Sequence, residues 1–364
     1  MENFFKPSRV STLLRAEWRD LSTFQTSDRL WQMPLAAALA SGVPLLVGAF
    51  FDHLDYGLIS SLGGLAFLYL PSAPLSLRMA MMTACAFGMI ASYALGAIVH
   101  FVPAAMTFAL VFLTSVASMA CRFYRVPPPG AVFFVMVAAI GMYTPGAVDE
   151  IPLKVGLFAM GALLASLIAF FYSIHAVRAQ PPKPMALAAA PSFEFVVFDP
   201  IMIGLFVGGS LALAQGLGME RAYWAPVSCA AVIQGASLRA IWTKQTQRIL
   251  GTAAGLLVAW GLLSLPLGKW TAPFVVMALA FAIESLVVRH YGLAAIFITP
   301  MAIFLAETSS LGRSSIPVLI SERFYDTLLG CGVGLFGGAC IHSPRFRAVV
   351  GERLRALVSV ALSR

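Results

Sequence analysis

The chain has 364 residues, of which 60% are hydrophobic and 11% charged, and its formal net charge is +8. That balance excludes a soluble globular domain, whose core needs a polar shell that this composition does not supply. The five cysteines (Cys85, Cys121, Cys229, Cys331 and Cys340) are odd in number and lie in or beside apolar blocks with no CxxC spacing, which argues against a disulfide framework or a zinc site.

The first 28 residues mix Lys6, Arg9, Arg15 and Arg19 with Glu2, Glu17, Asp20 and Asp28 and contain no apolar run of signal-peptide type. Beyond them the apolar residues come in blocks of roughly 17–25, the length that crosses about 30 Å of hydrocarbon as helix. Backbone groups in lipid must be paired within the segment, and the alternation of a β-barrel is missing, so the blocks predict helices. Spans are expected near 30–51, 57–73, 79–100, 104–121, 127–145 and 152–174. A second set is expected near 199–217, 222–238, 248–267, 271–288, 291–307 and 324–342. Between the sets, Ala176 to Phe195 carries Pro181, Pro182, Pro184 and Pro191 and reads as an extended linker. The expected fold is an all-α membrane protein of about twelve transmembrane helices. Its parts are an amphipathic N-terminal segment (1–29), a first six-helix repeat (30–175), a linker (176–196), a second repeat (197–343) and an amphipathic tail (344–364).

The positive-inside rule orients this bundle. With the N-terminus in the cytoplasm, 19 of the 24 Lys and Arg residues fall on the inner side, including Arg78, Arg122, Arg239, Lys244 and Arg248. The expected topology therefore puts both termini in the cytoplasm. The positive charge describes topology and not a nucleic-acid surface. The chain also reads as duplicated: sliding it by 167 positions places Tyr56 on Tyr223, Ser61 on Ser228, Gly88 on Gly255, Arg122 on Arg289 and Tyr124 on Tyr291. Six helices per half is an even number, so the repeats would be parallel and related by a pseudo-twofold axis along the membrane normal.

The candidate residues cluster at a few joints. Ser237-Leu238-Arg239, Lys244 and Gln247-Arg248-Ile249-Leu250-Gly251-Thr252, followed by Gly255, place small residues four apart and cations at the expected start of the ninth span. There the free amide groups of a helix N-terminus and an arginine fork would hold a carboxylate. Ser76-Leu77-Arg78 is a partial echo in the first half, and two such arginines would make a positive collar. Arg239 and Lys244 serve equally as topology charges, and Arg248 less so. The second and eighth spans are short and broken by Gly63, Gly64, Pro71, Pro226 and Gly235, a pointer to a transport site. They bring Tyr56, Ser60 and Ser61, and Tyr223, Trp224, Ser228 and Gln234; the aromatic residues fit an interfacial belt as well as a substrate role. Glu284, five residues before Arg289, and Asp326, three after Arg323, are the carboxylates inside apolar blocks, suited to an ion pair or to proton coupling. No Walker loop, Rossmann glycine pattern or HExxH occurs, so no cofactor, no metal and no catalytic residue is expected and the protein is not read as an enzyme.

Three of these stretches resemble the fusaric acid resistance and aromatic acid exporter family of bacterial inner-membrane proteins. They are Tyr223-Trp224-Ala225-Pro226, Gln247 to Thr252 with Gly255, and Arg323, Asp326, Thr327, Gly330 and Gly334. Aluminium-activated malate transporters are similar in helix arrangement. In the first half Arg78-Met79-Ala80 stands where the family has a glutamine-arginine-glycine pattern. The resemblance implies efflux of small organic anions such as aromatic carboxylic acids. Arg248, Arg78, Arg239, Gln247, Thr252, Tyr223, Trp224, Ser228, Gln234, Tyr56 and Ser61 would face the substrate, and Glu284 or Asp326 with Arg323 would couple protons or form a pair. A channel-like anion conductor is the nearer alternative. A major-facilitator carrier is disfavoured because 71–78 lacks the glycine-aspartate-arginine signature. A homodimer or a periplasmic accessory protein is left open as partner, besides the substrate anion and the lipid bilayer.

Overall fold

A computed structural model describes residues 23–179, 192–265, 268–307, 316–351 and 355. Among the described residues all regular structure is helical. The first helices are α1 (Gln32–Phe50), α2 (Leu54–Gly64, prolonged by a 3-10 turn Leu65–Tyr69), α3 (Leu75–Val99), α4 (Met106–Phe123), α5 (Val132–Tyr143) and α6 (Ile151–Ala179). They are followed by α7 (Asp199–Gly216), α8 (Trp224–Ile233), α9 (Leu238–Leu263), α10 (Thr271–Leu286), α11 (Tyr291–Glu307) and α12 (Ile316–His342). A π-helical turn, Glu194–Phe198, leads into α7.

Seven segments, those built on α1, α3, α4, α6, α7, α9 and α12, are long and apolar enough to cross a membrane. Those containing α2, α5, α8, α10 and α11 are shorter apolar helices. The shortest, α8, has 10 residues and α5 has 12. At 1.5 Å per residue they reach about 15–18 Å, well short of the hydrocarbon thickness. Helix ends at membrane depth are tolerated only inside protein. α8 meets that condition, since all 10 of its residues are buried. Large apolar side chains point outward along the long helices, among them Phe87, Phe108, Phe112, Leu163, Leu257 and Phe336. An apolar coat of that extent suits lipid and not water. The chain is a multi-pass membrane protein.

Helix neighbours in the two halves match. α1 packs on α2 and α6, as α7 packs on α8 and α12; α3 packs on α5 and α6, as α9 packs on α11 and α12. The halves meet where α4 packs on α7 and α10 on α1, and where α5 meets α8 and α2 meets α11. The first such interface ends in a buried carboxylate: Asp199 Oδ2 accepts from Arg122 at 2.6 Å and Oδ1 from Arg347 at 2.5 Å. At the second, Arg29 donates to Glu284 at 3.0 Å.

Several element ends differ from the sequence expectation for one reason: hydropathy marks where lipid is, not where helix begins. α9 starts at Leu238, ten residues before the expected span, because Ser237 Oγ caps it by accepting from Ala240 N (3.2 Å) and nothing in 238–247 breaks a helix. α6 runs on to Ala179, into the expected linker. The prolines of that linker and residues 1–22 of the amphipathic N-terminal segment lie outside the described residues. Of the tail, a helical stretch over 344–351 is described.

Candidate functional site

Glycines set the distances in the second half. A Cβ on Gly251 would meet Ala295 and the Gly292 carbonyl, and one on Gly255 would meet the Ile296 carbonyl and Thr299, so α9 can lie against α11 only because these side chains are absent. Gly330 does the same for α12 against α8, where a Cβ would run into the Ala225 carbonyl and Ser228. Four helices are thereby drawn to one point.

That point is Arg248. It is 5% exposed; its Nη1 donates to Tyr291 Oη at 2.9 Å and its Nη2 to Ser228 Oγ at 3.3 Å. Its Nε is buried with no hydrogen-bond partner. Among the described residues no carboxylate pairs with it. Lys244, one turn earlier on α9, lies with its Nζ 5.2 Å from the centre of the Tyr291 ring. Thr252, one turn later, is buried at 3% exposure on the same side of the helix. Cys331 of α12 is buried within electrostatic reach of both Arg248 and Arg323.

Arg248 does not stand at a helix N-terminus, where the sequence predicts it. Since α9 begins at Leu238, Arg248 sits about 15 Å inside the helix, beyond the turn over which terminal amides act. The pairing of Arg78 with Arg248 also changes. Arg78 stands in the first turn of α3, buried, and its Nε donates to the Ala73 carbonyl at 2.7 Å. It closes the turn ahead of its own helix.

One helical turn before Ser228 lies a second polar group. The Arg323 guanidinium is stacked 3.5 Å from the centre of the Trp224 ring, Trp224 is 4.9 Å from Tyr223, and Tyr223 is 5.4 Å from Tyr143. Tyr143 Oη accepts from Gln215 Nε2 at 2.9 Å. Asp326, three residues after Arg323 on α12, is wholly buried. Glu322, on the same helix as Arg323, is paired with Arg221. Trp224 is 1% exposed with one face covered by Arg323, so in this conformation it anchors an arginine and offers no face to a substrate ring.

The other predicted residues do not converge here. Gln234 spends its amide on Ala131 N (3.3 Å) and the Ala230 carbonyl (2.8 Å), tying α8 to the turn before α5. Ser61 Oγ donates to the Ser41 carbonyl at 2.5 Å. Tyr56 stacks on His53 at 4.8 Å beside the α1–α2 turn. Arg239 is exposed at the start of α9, and Gln247 packs its stem near Gly292. Glu284 pairs with Arg29 and not with the nearby Arg289. Sequence reasoning passed over Tyr291, Tyr143 and Gln215. A tyrosine opening a helix in an apolar chain looks like an interfacial anchor until its hydroxyl is found on a buried guanidinium.

A family model described as "Fusaric acid resistance protein-like" matches residues 208–337. The uncharacterized membrane protein YvaC of Bacillus subtilis (strain 168) is 34% identical over 135 residues, which are 37% of this chain and 21% of that protein. The match therefore spans about a fifth of the length of the curated relative. No solved structure matches the chain. The Arg248 group (Ser228, Lys244, Tyr291, Cys331) and the Arg323 group with Trp224 and Asp326 fall almost wholly inside the matched residues. The resemblance read from Tyr223–Pro226, Gln247–Gly255 and Arg323–Gly334 is borne out, and over residues 208–337 this chain is similar to the fusaric acid resistance proteins.

Proposed function

We propose that the protein is an inner-membrane transporter that exports small organic anions, aromatic carboxylates among them, with Arg248 as the residue that holds the anion. One observation carries this reading: a buried guanidinium with an unpartnered Nε and no carboxylate beside it among the described residues. A charge in that position is strongly unfavourable unless something of opposite sign completes it. A carboxylate is the simplest group to do so, and a guanidinium offers it paired donors. The similarity over 208–337 to fusaric acid resistance proteins supports membrane transport as the setting. The recurring helix neighbours in the two halves support two parallel six-helix repeats about an axis along the membrane normal, and the excess of Lys and Arg on one side of the bundle supports cytoplasmic termini.

The closed position of Arg248 favours a carrier that opens alternately over a standing channel, which would keep its selecting arginine wet. Among the carboxylates, Asp326 is the one we assign to proton coupling, since it is wholly buried on α12 three residues from Arg323, whereas Glu284 serves the joint between halves. The test is uptake of labelled benzoate into everted membrane vesicles. Accumulation that needs a proton gradient and is lost in Arg248→Ala supports the coupled exporter. Equilibration without accumulation would favour a channel, and no flux above empty vesicles for any organic anion would remove the proposal.

A further inference from the structure

We infer that Lys244 and Arg248 together bind a dianion, an organic molecule bearing two negative charges, in preference to a monocarboxylate; this rests on the anion-transport reading above. Three observations lead there. Lys244 and Arg248 lie four residues apart on α9, so their side chains leave the same face of the helix. Both meet Tyr291 of α11: Arg248 holds its hydroxyl at 2.9 Å while the Lys244 ammonium lies 5.2 Å from its ring centre. Among the described residues neither cation has a carboxylate partner.

Two like charges held around one aromatic ring inside the protein repel each other, and a buried setting screens them less than water does. A single carboxylate would neutralise one and leave the other uncompensated. A ligand with two negative charges would neutralise both, and Tyr291 spaces the two contacts. The site lies wholly in the second half. Sliding by 167 positions puts the apolar Leu77 and Met81 where Lys244 and Arg248 stand, so the first half offers no second pair. Arg323 does not belong to this pair, because its guanidinium is held against Trp224.

A dicarboxylate and a phosphate monoester share this chemistry, and a ring-matched set of probes separates them. Binding of benzoate, phthalate and phenyl phosphate to the purified full chain in lipid nanodiscs at pH 8 is measured by calorimetry for wild type, Lys244→Gln and Lys244→Arg. The expected result is that wild type binds at least one dianion roughly tenfold or more tighter than benzoate. Lys244→Gln should lose that preference, weakening the dianion far more than benzoate, and Lys244→Arg should keep it. Phthalate above phenyl phosphate would assign a dicarboxylate, and the reverse order a phosphate ester. Equal affinity for benzoate and both dianions in wild type, or a preference unchanged in Lys244→Gln, overturns the inference and leaves Arg248 as a monoanion site. If no probe binds wild type at all, the failure belongs to the anion-transport reading itself.

Discussion

The two halves of the chain hold the same helix neighbours and differ in what they do with corresponding polar residues. In the second half Ser228 and Tyr291 both turn toward Arg248. In the first half, 167 positions earlier, Ser61 donates to the Ser41 carbonyl of the adjacent helix and Tyr124 is 70% exposed, with Met81 in place of the arginine. The serine and tyrosine persist where the charge that would organise them does not. A hydroxyl buried in an apolar bundle must find an acceptor, so without the guanidinium Ser61 takes the nearest carbonyl. The comparison teaches that a buried charge is what converts ordinary packing hydroxyls into a site.

Breaking the contrast outright should have the largest effect. Arg248→Ala is expected to lower anion affinity by roughly a hundredfold, since a buried hydrogen-bonded charge is lost from the contact, whereas Arg78→Ala should change it little. Calorimetric titration of both variants with the same anion checks this; equal losses would put the two halves on the same footing. Next comes the scaffold. Gly330→Val forces a side chain into the Ala225 carbonyl and should cost roughly 2–4 kcal/mol, read as a large drop in thermal stability in detergent. Gly332→Val, where a Cβ meets nothing within 4 Å, should leave that stability nearly unchanged.

A smaller effect is expected at the tyrosines. Tyr291→Phe removes one acceptor from Arg248 and should weaken anion binding by roughly three- to tenfold, while Tyr124→Phe should be silent. The smallest effect is expected outside the membrane, where Lys269 beside Asp52 holds that carboxyl below its usual range. Such a pair contributes above the ordinary aspartate pKa and fades as the pH falls through the depressed value. It is exposed, so Lys269→Ala should not move the melting temperature measurably at neutral pH.

Several features were legible in the residues themselves. The apolar blocks located the membrane helices, and the small residues at Gly251, Gly255 and Gly330 marked the close helix contacts that the structure contains. The segments at 57–73 and 222–238, expected as short and interrupted spans, are helices of 11 and 10 residues. Arg248 stood out by its motif, although for a reason that failed: a helix start set by hydropathy lies ten residues from the start set by Ser237. Asp199, at the expected inner edge of a span, gave no sign that Arg122 and Arg347 would share it, because those partners come from other ends of the chain.

What the sequence determined alone is therefore what depends on local composition: residence in a membrane, helical structure, and the motifs that carry the family likeness over 208–337. These follow from transfer energies and backbone hydrogen bonding, which are properties of each segment by itself. Which polar side chains meet was decided only by the tertiary structure. Trp224 was turned into a platform for Arg323, Gln234 into a brace, and Tyr291 into a partner of Arg248. In an interior that must satisfy every polar group, each such role depends on which helix happens to lie opposite, and that is a property of the packed bundle alone.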